Sequence, residues 1–114
     1  MSNVHPDFKR EVSVQGTGAV VKKGDTINAH YRGTLASNGK QFDASYDRGE
    51  PLKFKVGAGQ VIQGWDVGFE GLTVGSKAKL SIPPEMAYGS AGVGNGLIPG
   101  NSTLIFEIEV VEIL

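Results

Sequence analysis

The stretch Val61–Leu72, VIQGWDVGFEGL, holds the only tryptophan of the 114-residue chain and sets it among three glycines. Val61, Trp65, Phe69 and Leu72 recur at helical spacing, so the stretch predicts a short helix with one apolar stripe. Gly64, Gly68 and Gly71 lie at i, i+4 and i+7 on a neighbouring stripe, each costing about 1 kcal/mol of helix stability relative to alanine. A helix this weak does not stand alone. It is expected on the concave side of a twisted sheet, where missing side chains allow close backbone approach.

The rest of the chain supplies that sheet. Seventeen glycines fall between short alternating runs, the pattern of strands joined by turns. DTINAHYRGTL (Asp25–Leu35) puts Ile27, Ala29, Tyr31 and Leu35 on one face and Thr26, Asn28, His30, Arg32 and Thr34 on the other. SNGK follows, with Asn38-Gly39 suited to two positive φ values in a tight hairpin, so Gln41–Ser45 is expected to return beside that strand. LKFKV turns Leu52, Phe54 and Val56 inward, KAKLSI does so with Ala78, Leu80 and Ile82, and TLIFEIEV with Leu104, Phe106, Ile108 and Val110, leaving Glu107 and Glu109 exposed. REVSVQ near the start completes a count of five or six strands. The expected class is α+β, a five- to six-stranded antiparallel twisted sheet wrapped around one short helix. A single domain spans residues 1–114, with 1–10 a poorly ordered extension. Between two strands, Pro83–Ser102 is twenty irregular residues carrying Met86, Tyr88, Val93, Leu97 and Ile98, which predicts an ordered flap over something apolar.

Composition removes several chemistries. Eleven Lys plus Arg against twelve Asp plus Glu leave a net charge of -1, without the basic footprint of a nucleic-acid binder. The absence of cysteine excludes disulfides, thiolate metal sites and a cysteine nucleophile, and suits a reducing compartment. No run approaches the twenty apolar residues of a membrane span and the N-terminus has no signal-peptide core, so a soluble, cytoplasmic protein is expected. DASYDRG (Asp43–Gly49) has some calcium-loop residues, but its glycine comes one place late and position twelve is Phe54, not a glutamate. GVGNG neither follows a strand nor opens a helix, and there is no P-loop lysine. Asn101-Ser102-Thr103, a glycosylation acceptor by pattern, reads as a turn into a strand. His5 and His30 are the only imidazoles, one in the tail and one on a wet strand face, and neither suits a metal ligand or a general base. No cofactor or metal is expected. What remains is aromatic: Tyr31, Phe42, Phe54, Trp65 and Phe106 face inward and Tyr88 sits in the flap. A core of this size needs such residues on its own account. Periodicity alone therefore leads to a small β-rich domain with room for an apolar pocket, and no further.

Six strings go beyond pattern: HYRGTL (His30–Leu35), GKQFDAS (Gly39–Ser45), VIQGWDVG (Val61–Gly68), VGSKAKLSIP (Val74–Pro83), AYG (Ala87–Gly89) and LIPGNSTLIFEIEVVEI (Leu97–Ile113). In order and approximate spacing, from about Glu11 onward, the chain resembles the FKBP-type peptidyl-prolyl isomerases, in a single-domain form. The resemblance implies an apolar pocket between helix and sheet. Its walls are Tyr31, Phe42, Val61, Ile62 and Phe106, its floor Trp65, its flap residues Tyr88, Leu97 and Ile98, and its polar rim Asp43. It implies that Asp43, Trp65, Tyr88 and Phe106 serve catalysis, and that Asp43, the Tyr88 hydroxyl and the Ile62 backbone N–H contact bound ligand. Leu52 and Gln60 belong to the same pocket but depart from the commonest pattern, which has phenylalanine and glutamate there. The flap GVGNGLIP departs too, being longer than usual around Val93 to Gly96. Implied ligands are proline-containing peptides and macrolides such as rapamycin and tacrolimus, the latter presented to a second protein such as calcineurin or a TOR kinase. An alternative is a binding module in which pocket occupancy is the output. No nucleic acid or membrane partner is implied, and a monomer is expected.

Overall fold

The computed structural model describes residues 6–94 and 97–114; residues 1–5, half of the expected N-terminal extension and including His5, and Asn95 and Gly96 of the flap lie outside them. Six antiparallel strands form one sheet: β1 (Lys9–Val14), β2 (Thr26–Leu35), β3 (Gln41–Ala44), β4 (Leu52–Lys55), β5 (Lys77–Ile82) and β6 (Leu104–Ile113). The order is β1-β5-β6-β2-β3, and β4 pairs with the other end of the same β2 edge. β1 begins at Lys9, inside the stretch expected to be an extension, because Lys9 and Arg10 pair with Ser81 and Leu80. Helix α2 (Gln63–Phe69) lies across the sheet, and α1 (Ser45–Arg48) is a single turn that the period of two does not reveal.

Register explains the core. β2 and β6 oppose Leu35 with Leu104, Gly33 with Phe106, Tyr31 with Ile108 and Ala29 with Val110. Residues directly opposite in an antiparallel pair share a face, so all of these turn inward, and all but Gly33 join one buried apolar cluster with Trp65, Phe69, Leu80 and Ile82. The outer face alternates in charge, Glu107 between Lys79 and Arg32, and Glu109 between Lys77 and His30. The Arg32–Glu107 contact, 3.4 Å long and exposed on both sides, contributes little to stability.

α2 is shorter than its apolar stripe suggests. Gly71 lies beyond it at φ 89°, reversing the chain, so only Gly64 and Gly68 are helical glycines. A Cβ at Gly64 would stand 2.5 Å from Ile82 Cγ2, and one at Gly68 2.6 Å from Leu80 Cδ1. The close approach is thus to side chains of β5 rather than to its backbone. The hairpin between β2 and β3 also differs from expectation. Only Gly39 has positive φ (72°); Asn38 instead accepts the Lys40 N–H on Oδ1 at 2.9 Å, closing the turn through its side chain. Glu109, expected exposed, is half-buried where the Tyr46 hydroxyl donates to it at 3.3 Å.

Candidate functional site

Between α2 and the sheet opens a cavity of ≈ 200 Å³, lined by Tyr31, Phe42, Asp43, Leu52, Gln60, Val61, Ile62, Trp65, Tyr88 and Phe106. Ten of the twelve residues expected there meet in it. Leu97 and Ile98 do not: Ile98 is buried in the core, while Leu97 stands 48% exposed on the flap. Val93 and Ile98 form an isolated antiparallel bridge within the flap.

Trp65 is packed among four rings. Tyr31, Phe106, Phe69 and Phe54 have centroids 4.8, 5.2, 5.4 and 5.7 Å from it, three of them edge-on and Phe54 tilted. Edge-to-face contacts of this kind are favoured by the ring quadrupole and add to area burial. They fix the indole as a rigid surface. Its Nε1 is the only buried side-chain polar atom among the described residues without a hydrogen-bond partner. The opposite wall depends on Gly33, where a Cβ would come within 2.6 Å of Phe42 Cζ and 2.7 Å of Phe106 Cε1. Its absence lets those two rings meet edge-on at 5.5 Å.

The polar side of the cavity is a closed triangle. Tyr31 donates to Asp43 Oδ2 at 2.5 Å, and Arg48 donates to Asp43 Oδ1 at 2.8 Å and to the Tyr31 hydroxyl at 2.7 Å. Desolvation pushes the Asp43 carboxyl up, but the hydrogen bonds from Tyr31 and Arg48 outweigh it and hold the group below the usual carboxylate range. Burial first, and the Asp43 bond second, push the Tyr31 phenol up. Tyr88 is raised by burial and then by the Asp43 charge; its hydroxyl has no hydrogen-bond partner among the described residues. Both phenols therefore remain protonated donors at neutral pH. The Ile62 carbonyl accepts from Trp65 and Asp66, while its N–H finds no acceptor among the described residues. Gln60 Oε1 accepts the Lys55 N–H at 2.9 Å, which pins the side chain at the cavity edge.

Two residues outside the sequence-based set carry this arrangement. Arg48 rides on the α1 turn and neutralises Asp43; only its place five residues after Asp43 hints at the role. Ser45 is fully buried where neither β3 nor β4 pairs with β2. Its hydroxyl accepts the Tyr31 N–H at 2.7 Å and approaches the Tyr31 carbonyl at 3.3 Å, replacing a missing strand. His30 Nδ1 lies 2.9 Å from the same hydroxyl and its ring stacks on Tyr46, so its strand face is less wet than alternation predicts. Asp66 anchors the loop before α2 by accepting the Gly57 and Gly59 N–H groups at 2.9 and 3.1 Å.

Comparison with known proteins meets this geometry. Residues 18–111 match the family model described as FKBP-type peptidyl-prolyl cis-trans isomerase. FK506-binding protein 1A of Neurospora crassa is 58% identical over 104 residues, covering 90% of this chain and 85% of that protein. FK506-binding protein 2 of Emericella nidulans is 62% identical over 91 residues, covering 80% of this chain; the chain spans only 66% of that relative's length. The crystal structure of AtFKBP13 superposes with a TM-score of 0.87 at 44% identity, covering 97% of each chain. With six antiparallel strands, a short helix across them and an aromatic cavity between, the chain belongs to the FKBP-type peptidyl-prolyl cis-trans isomerase family.

Proposed function

We propose that the cavity catalyses cis/trans isomerisation of X-Pro peptide bonds and binds macrolides such as tacrolimus and rapamycin at the same place. One observation carries the reading: five of the ten residues lining the cavity are aromatic, and its single carboxylate is paired with Arg48 and hydrogen-bonded by Tyr31. An X-Pro amide is kept planar by resonance behind a barrier of roughly 20 kcal/mol, and uncatalysed exchange takes tens of seconds or longer. Twisting it by a quarter turn breaks the resonance and lowers its polarity. A dry apolar cavity disfavours the dipolar planar amide more than the twisted one, so it selects the transition state without acid, base or nucleophile. Trp65 provides the surface for the pyrrolidine ring, and the unpartnered Tyr88 hydroxyl and Ile62 N–H are the donors for substrate carbonyls.

The test is exchange spectroscopy on a short X-Pro peptide with catalytic amounts of protein, then with excess rapamycin. Acceleration abolished by the macrolide supports the reading. Absence of acceleration, with saturable quenching of Trp65 fluorescence by the macrolide, rejects catalysis and leaves binding. That second reading, a module whose output is occupancy, is favoured by exposed apolar side chains on the flap that carries Tyr88: Tyr88, Val93 and Leu97 are 39%, 38% and 48% exposed. Such a surface suits a ligand-bridged contact with a second protein such as calcineurin or a TOR kinase.

A further inference from the structure

The C-terminal end of α2 is only partly capped from its own segment, where the Leu72 N–H donates to Phe69 O at 3.2 Å. Glu70, which follows the helix, is extended, and the last turn carries no basic residue. The last carbonyls of a helix need donors, and the negative end of its dipole favours a cation. Arg10 supplies both from another element. One terminal nitrogen of its guanidinium, NH1, donates to Gly68 O at 3.0 Å and to Glu70 O at 2.8 Å.

The position of Arg10 follows from register. It pairs directly with Leu80, and directly opposed residues share a face. Arg10 therefore projects on the concave side, beside the Leu80 side chain on which Gly68 rests. Along β1 its row neighbour is Val12, and Phe8, two residues earlier, is packed against the core. A cation occupies an otherwise apolar row at the place where α2 ends. Phe8, Arg10, Val67, Glu70 and Gly71 line a shallow cleft there.

We infer that Arg10 is a positioning residue: by tying the edge strand to the end of α2, it fixes the level at which Trp65 lies beneath the cavity. Only seven residues long, with two helical glycines, α2 has little rigidity of its own. Its middle is held by Asp66, which accepts the Gly57 and Gly59 N–H groups of the preceding loop. Trp65 directly precedes Asp66 and lies three residues before Gly68, one turn away on the same short helix.

The consequence for turnover rests on the isomerase reading, but the displacement of Trp65 does not. Because Trp65 is the sole tryptophan, its indole N–H gives one resonance in a two-dimensional NMR spectrum. Arg10→Met keeps much of the aliphatic stem and removes the donors. It is expected to displace and broaden that resonance, and to lower kcat/KM about fivefold, the equivalent of roughly 1 kcal/mol. Arg10→Lys, which keeps the charge, is expected to shift the resonance in the same direction but less, and it carries the test if Arg10→Met does not fold. A lower melting temperature with an unmoved Trp65 resonance, in whichever variant folds, would show a structural cap only and overturn the inference. A moved resonance with wild-type protein that does not accelerate exchange would uphold the positioning role and reject the isomerase reading instead.

Discussion

At the scale of single residues, the site separates a carboxylate that is held from hydroxyl and amide donors that are offered. Asp43 has both oxygens engaged, by Tyr31 and Arg48, whereas Tyr88 is half-exposed at the cavity. Tyr88→Phe removes one net hydrogen bond, worth about 0.5–1.5 kcal/mol, so kcat/KM is expected to fall roughly two- to tenfold with the melting temperature unchanged. Exchange spectroscopy checks the first and calorimetry the second. Asp43 makes a pH prediction. Its folded-state pKa lies below the reference value of 3.8, so its contribution to stability is fully present above about pH 4 and disappears as pH falls through the folded value. The melting-temperature gap between the wild type and Asp43→Asn should be widest near neutrality and close below pH 3.8. Equal gaps at pH 7 and pH 2.5 would mean that the triangle adds nothing through charge. The partial exposure of Asp43 keeps the effect modest.

At the scale of elements, the helix and β5 are fitted to one another by absence. Gly68→Ala raises intrinsic helix propensity by about 1 kcal/mol, yet its Cβ would collide with Leu80 Cδ1. Overpacking of this kind typically costs about 1–3 kcal/mol, so net destabilisation is expected in urea unfolding. Leu80→Ala should relieve part of it in the double mutant, giving a favourable coupling energy; additive effects would place the clash elsewhere. Gly33→Ala is expected to part Phe42 from Phe106 and to weaken the proposed macrolide binding, measured by Trp65 fluorescence, more than it weakens the fold.

For the whole molecule, β6 is the organising strand. It lies between β5 and β2 and draws residues 104–113 onto residues 26–35. Folding must close that long separation before the central pairing forms, so relaxation in the millisecond-to-second range is expected, as for other domains of non-local pairing. Truncation after Thr103 removes both central ladders. It should abolish the cooperative thermal transition altogether, and a truncated chain that still melts sharply would contradict this account of the core.

Strand positions and the inward rows of β2, β4, β5 and β6 were legible in the sequence, because side-chain alternation and turn residues are local properties; which aromatics line the cavity came from the family resemblance of six strings, not from alternation. The helix at Trp65 was legible too, along with its dependence on a sheet. What sequence could not supply came from contacts between distant segments. Arg48 became part of the site only when α1 brought it over Tyr31, and Ser45 only because the edge of β2 that faces β3 and β4 has no strand partner at Tyr31. Arg10 acquired a role through pairing with β5, seventy residues away in the chain. Leu97 and Ile98, both expected at the cavity, are respectively exposed on the flap and buried in the core. Periodicity assigns each residue a face, but which groups meet across that face is settled by register and long-range packing, and those exist only in the folded chain.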